Sequence, residues 1–104
     1  VPKVEDIQDI YQLDWQQQQQ LLNESSMLSE ILMQEFKGDK MNVAALGNVV
    51  PQLHMHHIVR FKNDACWPKP VWGQQALTPY TDEALAEIKL RILPKLLTIL
   101  STKN

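Results

Sequence analysis

Gln52-Leu53-His54-Met55-His56-His57-Ile58-Val59-Arg60 is the stretch around which this 104-residue chain is best understood. In an extended backbone successive side chains point to opposite faces, so Gln52, His54 and His56 project to one side, with Leu53, Met55 and His57 on the other. Two imidazoles and an amide then line one surface. Imidazole is the side chain best suited near neutral pH to act as nucleophile, proton carrier or metal ligand. The bland reading is a pair of strand histidines satisfied by local hydrogen bonds. The metal reading rests on His-x-His being a common zinc spacing, but no third ligand is evident nearby, with Glu5 only a guess.

Outward from this stretch, Leu53 to Phe61 and Met41 to Leu46 read as two strands, joined through Gly47-Asn48-Val49-Val50-Pro51. That connector is too long for the tightest hairpin, so a wider loop is expected. Before them, Asp14 is a good N-cap, and Leu21, Leu28, Ile31, Leu32 and Phe36 give a helix to Lys37 one apolar face, with Gly38 placed to end it. The glutamine run Gln16 to Gln20 lies inside that helix and reads as solvated surface rather than low complexity. Asn63 to Tyr80, with its prolines, Gly73 and two tryptophans, reads as an irregular excursion. A last helix from about Asp82 to Leu100 follows, N-capped by Thr81 and kinked at Pro94, with Leu85, Ile88, Ile92, Leu96 and Ile99 on one side. Val1-Pro2-Lys3 reads as the tail of a strand.

The bulk numbers narrow the function classes. A chain of this length is one domain, residues 1–104, at the small end for an enzyme. The net charge of −2 comes from 10 basic and 12 acidic residues, with the basic ones scattered singly. No basic stripe tracks a nucleic-acid backbone, so polymeric nucleic acid is not the expected partner. One cysteine, Cys66, excludes an intrachain disulfide and fits a reducing cytoplasm. No apolar run approaches membrane-spanning length.

The order polar-apolar-His-apolar-His with an Ile-Val-Arg exit resembles the histidine triad signature of nucleotide hydrolases and transferases, with Gln52 in the first slot. The resemblance extends over roughly the first two-thirds of the chain: Val1-Pro2-Lys3 to an early strand, Asp14 to Lys37 to the long helix, and Met41 to Phe61 to the closing strands. Trp67-Pro68-Lys69-Pro70-Val71-Trp72-Gly73 looks like the extension of a bacterial, diadenosine tetraphosphate hydrolase-like subgroup that also carries Gln in that slot. The implied fold is α+β: an antiparallel sheet with the long helix packed on it, a core over about 1–62, and a C-terminal Trp/Pro-rich segment and helix over about 63–104 wrapping the sheet edge. The strands and short helix that usually open the fold are missing from this sequence, which reads as a fragment or part of a longer chain.

The resemblance implies an enzyme acting at the α-phosphate of a small nucleotide, a dinucleoside polyphosphate or nucleoside phosphoramidate, in a cytoplasmic homodimer that extends the sheet. By the same analogy His54 is the nucleophile, the Gln52 carbonyl orients it, His56 contacts the phosphate, and Gly47 and Asn48 hold it. No cofactor or metal is needed for that chemistry. Glu5 stands where many members have a further histidine, and His57, in an apolar slot, reads as a packed or interface residue. Arg60 reads as either a phosphate contact or a solvated charge, and Cys66 as inert packing. Trp67 and Trp72 either close a pocket or serve as packing anchors. Two other classes stand beside the enzyme: a nucleotide-binding module with little turnover, and an interaction protein that docks a partner through the Trp-rich segment.

Overall fold

The computed structural model describes residues 1–74 and 78–103, with side chains through residue 98. A helix α1 spans Trp15–Phe36, strands β1 (Lys40–Ala44) and β2 (His56–Arg60) follow, and a helix α2 spans Asp82–Lys103. A short 3-10 turn, Ile10–Gln12, precedes α1. Val1 to Lys3 form no strand; the N-terminal segment instead meets the histidine stretch through Leu53 N–H on the Ile7 carbonyl at 2.8 Å.

The start of α1 is specified locally. Asp14 accepts from Gln17 N–H at 2.7 Å, and the Gln17 side chain accepts from Asp14 N–H at 3.0 Å, a reciprocal capping box. The rest of the glutamine run is helix surface too: Gln19 bonds Asn23 and Gln20 bonds Glu24, each one turn on. Ile31 is buried, while Leu21, Leu28, Leu32 and Phe36 are half-buried. The helix ends at Phe36, one residue before the expected Lys37, but glycine is not the left-handed residue that closes it. Lys37 takes the left-handed conformation, at φ 52°. Gly38 is needed for room, because a Cβ there would stand 2.4 Å from Val59 Cγ1 and 3.0 Å from Met33 Sδ.

The two strands pair antiparallel, with Lys40 opposite Arg60, Asn42 opposite Ile58 and Ala44 opposite His56. Ala44, Asn42, His56, Ile58 and Arg60 therefore share one face, and Met41, Val43, His57 and Val59 the other. α1 lies against the second face, where His57 meets Ser25 and Val59 meets the Gly38 backbone. β2 is shorter than expected: Leu53 to Met55 leave the ladder, since Leu53 N–H is committed to Ile7.

α2 packs along α1 rather than wrapping the sheet edge. Thr81 Oγ1 accepts from Ala84 N–H at its start, and the helix continues through Pro94. Ile92 is buried, Ile88 and Leu96 are half-buried, Leu85 is exposed, and the Ile99 side chain lies outside the described residues. Its docking is polar as well as apolar. Arg91 donates to the Glu35 carboxylate at 2.8 Å and to the Glu35 backbone carbonyl at 3.0 Å, with its guanidinium 4.6 Å from the Phe36 ring; Lys95 joins the same carboxylate. Cations at the last turn of α1 complement the helix dipole and occupy an otherwise orphan carbonyl.

Two substitutions separate room from backbone conformation at the end of α1. Gly38→Ala should destabilise by about 1–3 kcal/mol through overpacking, whereas Lys37→Gly should stabilise by up to about 1 kcal/mol by relieving a left-handed non-glycine residue. Urea unfolding with an unchanged denaturant slope measures both.

Candidate functional site

His54 and His56 come together although only His56 belongs to a strand. Their rings lie 5.1 Å apart between centroids, at 65° to one another. His54 Nδ1 lies 2.6 Å from the Gln52 carbonyl oxygen. A carbonyl can only accept, so Nδ1 carries the proton and, in the neutral ring, Nε2 keeps the lone pair. The Gln52 side chain does not join the imidazoles. Its amide donates to the Val4 carbonyl at 3.1 Å, tying the N-terminal segment to the histidine stretch.

The loop between β1 and β2 is wide, with Gly47 in the left-handed region at φ 69°. Gly47 is half-buried and Asn48 exposed. Glycine at that φ keeps a turn that other residues would strain. Glu5 is exposed, and among the described residues no three His, Cys, Asp or Glu side chains gather as a metal-ligand cluster.

Arg60 is neither a phosphate contact nor a solvated charge. It points to the His56 face, as the register requires, but is only 2% exposed, because the chain after β2 folds over it. Its Nε and Nη2 form a fork on Asp64 at 2.8 and 3.0 Å, Nη2 also donates to the Lys69 carbonyl at 2.7 Å, and Nη1 donates to Asn42 Oδ1 at 2.8 Å. The Trp67 ring covers it at 5.6 Å. Asp64 in turn accepts backbone N–H groups from Phe61, Cys66 and Trp67. The Arg60 guanidinium, ahead of those N–H groups, holds the Asp64 carboxyl well below the usual carboxylate range, while burial opposes it. Sequence reasoning missed Asn42 and Asp64. The available signal for Asp64 was its place in a turn, where Asp readily accepts nearby backbone N–H groups.

The excursion thus lies on the histidine face. Trp67 stacks on Arg60, and Trp72 meets His56 edge-to-face with centroids 5.9 Å apart at 75°. Both tryptophans are half-buried. Cys66 is half-buried and not disulfide-bonded.

The family profile of the HIT domain matches residues 1–63. A histidine triad protein from Marinobacter aquaeolei VT8, in a crystal structure, is 58% identical with a TM-score of 0.89, over 94% of this chain and 72% of that one. A histidine triad protein from Bradyrhizobium japonicum is 42% identical with a TM-score of 0.87, over 92% and 72% of the respective chains. A histidine triad (HIT) protein from Sinorhizobium meliloti 1021 is 35% identical with a TM-score of 0.87, over 91% and 70%. No curated protein resembles the chain closely enough to count as a match. Among the described residues no helix is long and apolar enough to cross a membrane.

On the reverse face His57 is held differently. Its Nε2 lies 2.7 Å from Ser25 Oγ, and both residues line a cavity of about 300 Å³ shared with Leu21, Leu28, Met55 and Leu96. Burial pushes the His57 imidazole below its ordinary value, against an opposing hydrogen bond to the Met55 backbone. The unfolded chain therefore binds a proton more readily than the native one. Stability from this residue is present in full above the unfolded value near 6.5 and is lost as pH falls from there through the lowered native value. Melting temperature should decline as pH falls below about 6.5, and His57→Gln should flatten that decline. An unchanged slope in the variant would assign the pH dependence elsewhere.

Proposed function

Because the chain belongs to the histidine triad family, we propose that it cleaves or transfers at the α-phosphate of a small nucleotide, with His54 as the nucleophile. The observation that carries this reading is the 2.6 Å contact between His54 Nδ1 and the Gln52 carbonyl, which leaves the Nε2 lone pair free. Attack of Nε2 on the α-phosphorus forms the N–P bond as the bond to the leaving group breaks; a phosphate leaves as its anion, and an amine takes a proton from water as it departs. Water then attacks the nucleotidyl-histidine, releasing a nucleoside monophosphate and restoring the neutral ring. His56, on the same face, supplies a ring N–H to a nonbridging oxygen as charge builds there. The Gly47 turn, with the exposed amide of Asn48, suits an anion. Gln52 serves through its carbonyl, a role that any residue in this slot fills, which accords with the glutamine-bearing, diadenosine tetraphosphate hydrolase-like subgroup.

The setting of this reading is a cytoplasmic homodimer. The described sheet has two strands and hence two outer edges, and pairing of two such sheets would satisfy exposed ladder groups. A second reading, a nucleotide-binding module with little turnover, is favoured by one observation: the first-slot side chain is tied to Val4 and contributes nothing to the imidazole pair. An adenylylated protein trapped by rapid quenching with diadenosine tetraphosphate, seen by mass spectrometry, decides between the two.

His54→Ala should lower turnover by several orders of magnitude while nucleotide binding is largely kept, because the covalent route is lost and the pocket is not. Activity within about tenfold of the parent would remove His54 from the mechanism. Gln52→Ala should cost on the order of tenfold against a hundredfold or more for His56→Ala. The reverse ranking of turnover numbers would make the Gln52 amide catalytic.

A further inference from the structure

The His56 ring is oriented in an unusual way. Among the described residues no hydrogen bond holds it; the His54 ring stands on one side at 5.1 Å and the Trp72 ring at 5.9 Å on another. Two aromatic rings thus flank it, and no partner among the described residues occupies its nitrogens. Trp72 is not placed by a helix or a strand. It follows a loop that Arg60 anchors to the sheet: Arg60 shares the His56 face of β2 and grips Asp64, the Lys69 carbonyl and the Trp67 ring. Beyond Lys69 the chain needs only Pro70 and Val71 to reach Trp72, and a turn from Val71 to Gln74 closes behind it. The loop is therefore fixed at one end of the strand and delivers an indole to the other.

We propose that Trp72 is a positioning residue for His56, and that Arg60 acts through the loop to set Trp72 in place. This rests on the transfer reading above, in which His56 polarises the phosphate. An imidazole that must present one N–H to a nonbridging oxygen gains from being held at the required angle before charge develops, since a freely turning ring loses part of each encounter. Trp72 takes no part in proton or phosphoryl transfer. Its effect falls on the chemical step, because it constrains a ring used most strongly when the phosphate carries most charge. A tryptophan that merely walled the pocket or stacked a base would act on binding. Arg60 is matched to its task by shape as well as charge: its three nitrogens reach both Asp64 oxygens, Asn42 and the Lys69 carbonyl, a span that the single nitrogen of lysine lacks.

The test uses the full-length protein with diadenosine tetraphosphate as substrate and the imidazole Hε1 resonances as a second readout. Trp72→Ala should lower kcat by about tenfold with KM changed less than about threefold, and Trp72→Phe should restore most of the loss. The His56 resonance should shift by tenths of a ppm in Trp72→Ala and in the same direction in Arg60→Lys, while the His57 resonance stays in place as a sign that the fold is kept. Should Arg60→Lys not fold, Asp64→Asn replaces it, because its one carbonyl oxygen can still accept from the Cys66 and Trp67 N–H groups while the ionic fork is lost. A KM effect without a kcat effect overturns the positioning role of Trp72. A His56 resonance unmoved in the folded Arg60 or Asp64 variant overturns the coupling. Failure of the unaltered protein to turn over the dinucleotide would sink the transfer reading instead, and the resonances would still decide whether Arg60 and Trp72 hold His56.

Discussion

Burying a guanidinium is costly unless its donors find acceptors, and in this protein that demand falls on Arg60. The last residue of β2 meets it with partners drawn from three places: Asn42 on the neighbouring strand, Asp64 just after the strand, and the Lys69 carbonyl farther along the loop. The Asp64 carboxylate also collects the N–H groups of Phe61, Cys66 and Trp67, so the same charge pair that fixes the side chain fixes the backbone turn. The Arg60 carbonyl meanwhile accepts from Asp39, which joins the end of β2 to the turn after α1. A loop with little regular structure acquires a defined path in this way, and the face of the sheet that bears His54 and His56 acquires a cover.

β2 shows how one short strand assigns opposite jobs to residues of the same type. His56 and His57 are neighbours, yet the pleat sends one toward the open histidine pair and the other into the space under α1. On the covered side, burial favours the neutral ring and Ser25 engages Nε2. On the other side ring packing leaves the nitrogens available. The difference lies in the face and not in the residue, which is why His57 is better understood as part of the packing between strand and helix than as a third member of the pair.

Much of this was legible in the chain. Asp14 announces the start of α1, and alternation from His56 to Arg60 predicts which side chains share a face. What could not be read depends on contacts distant in sequence. Gly38 looked like a helix stop, but its lack of a side chain is required by Val59, and only strand pairing shows that. Arg60 looked like a surface or ligand charge, because an isolated arginine almost always is one; its burial follows from a loop whose route no local propensity encodes. The expectation that Gln52 would present its amide beside His54 failed for a related reason. Strict alternation holds only inside a ladder, and the ladder begins at His56.

That late start bears directly on the site. The Gln52 carbonyl lies ahead of β2, outside the ladder, and accepts from the His54 ring. Leu53 keeps the segment from drifting: it is buried to 1% exposure, and its N–H is bound to Ile7. His54 is thus held by a carbonyl that the sheet does not need, on a segment pinned by an apolar residue between the two positions. A glutamine in the first slot costs this arrangement nothing, since a carbonyl is common to every residue. Its side chain is left to bind Val4, which connects the N-terminal segment to the stretch that carries the candidate site.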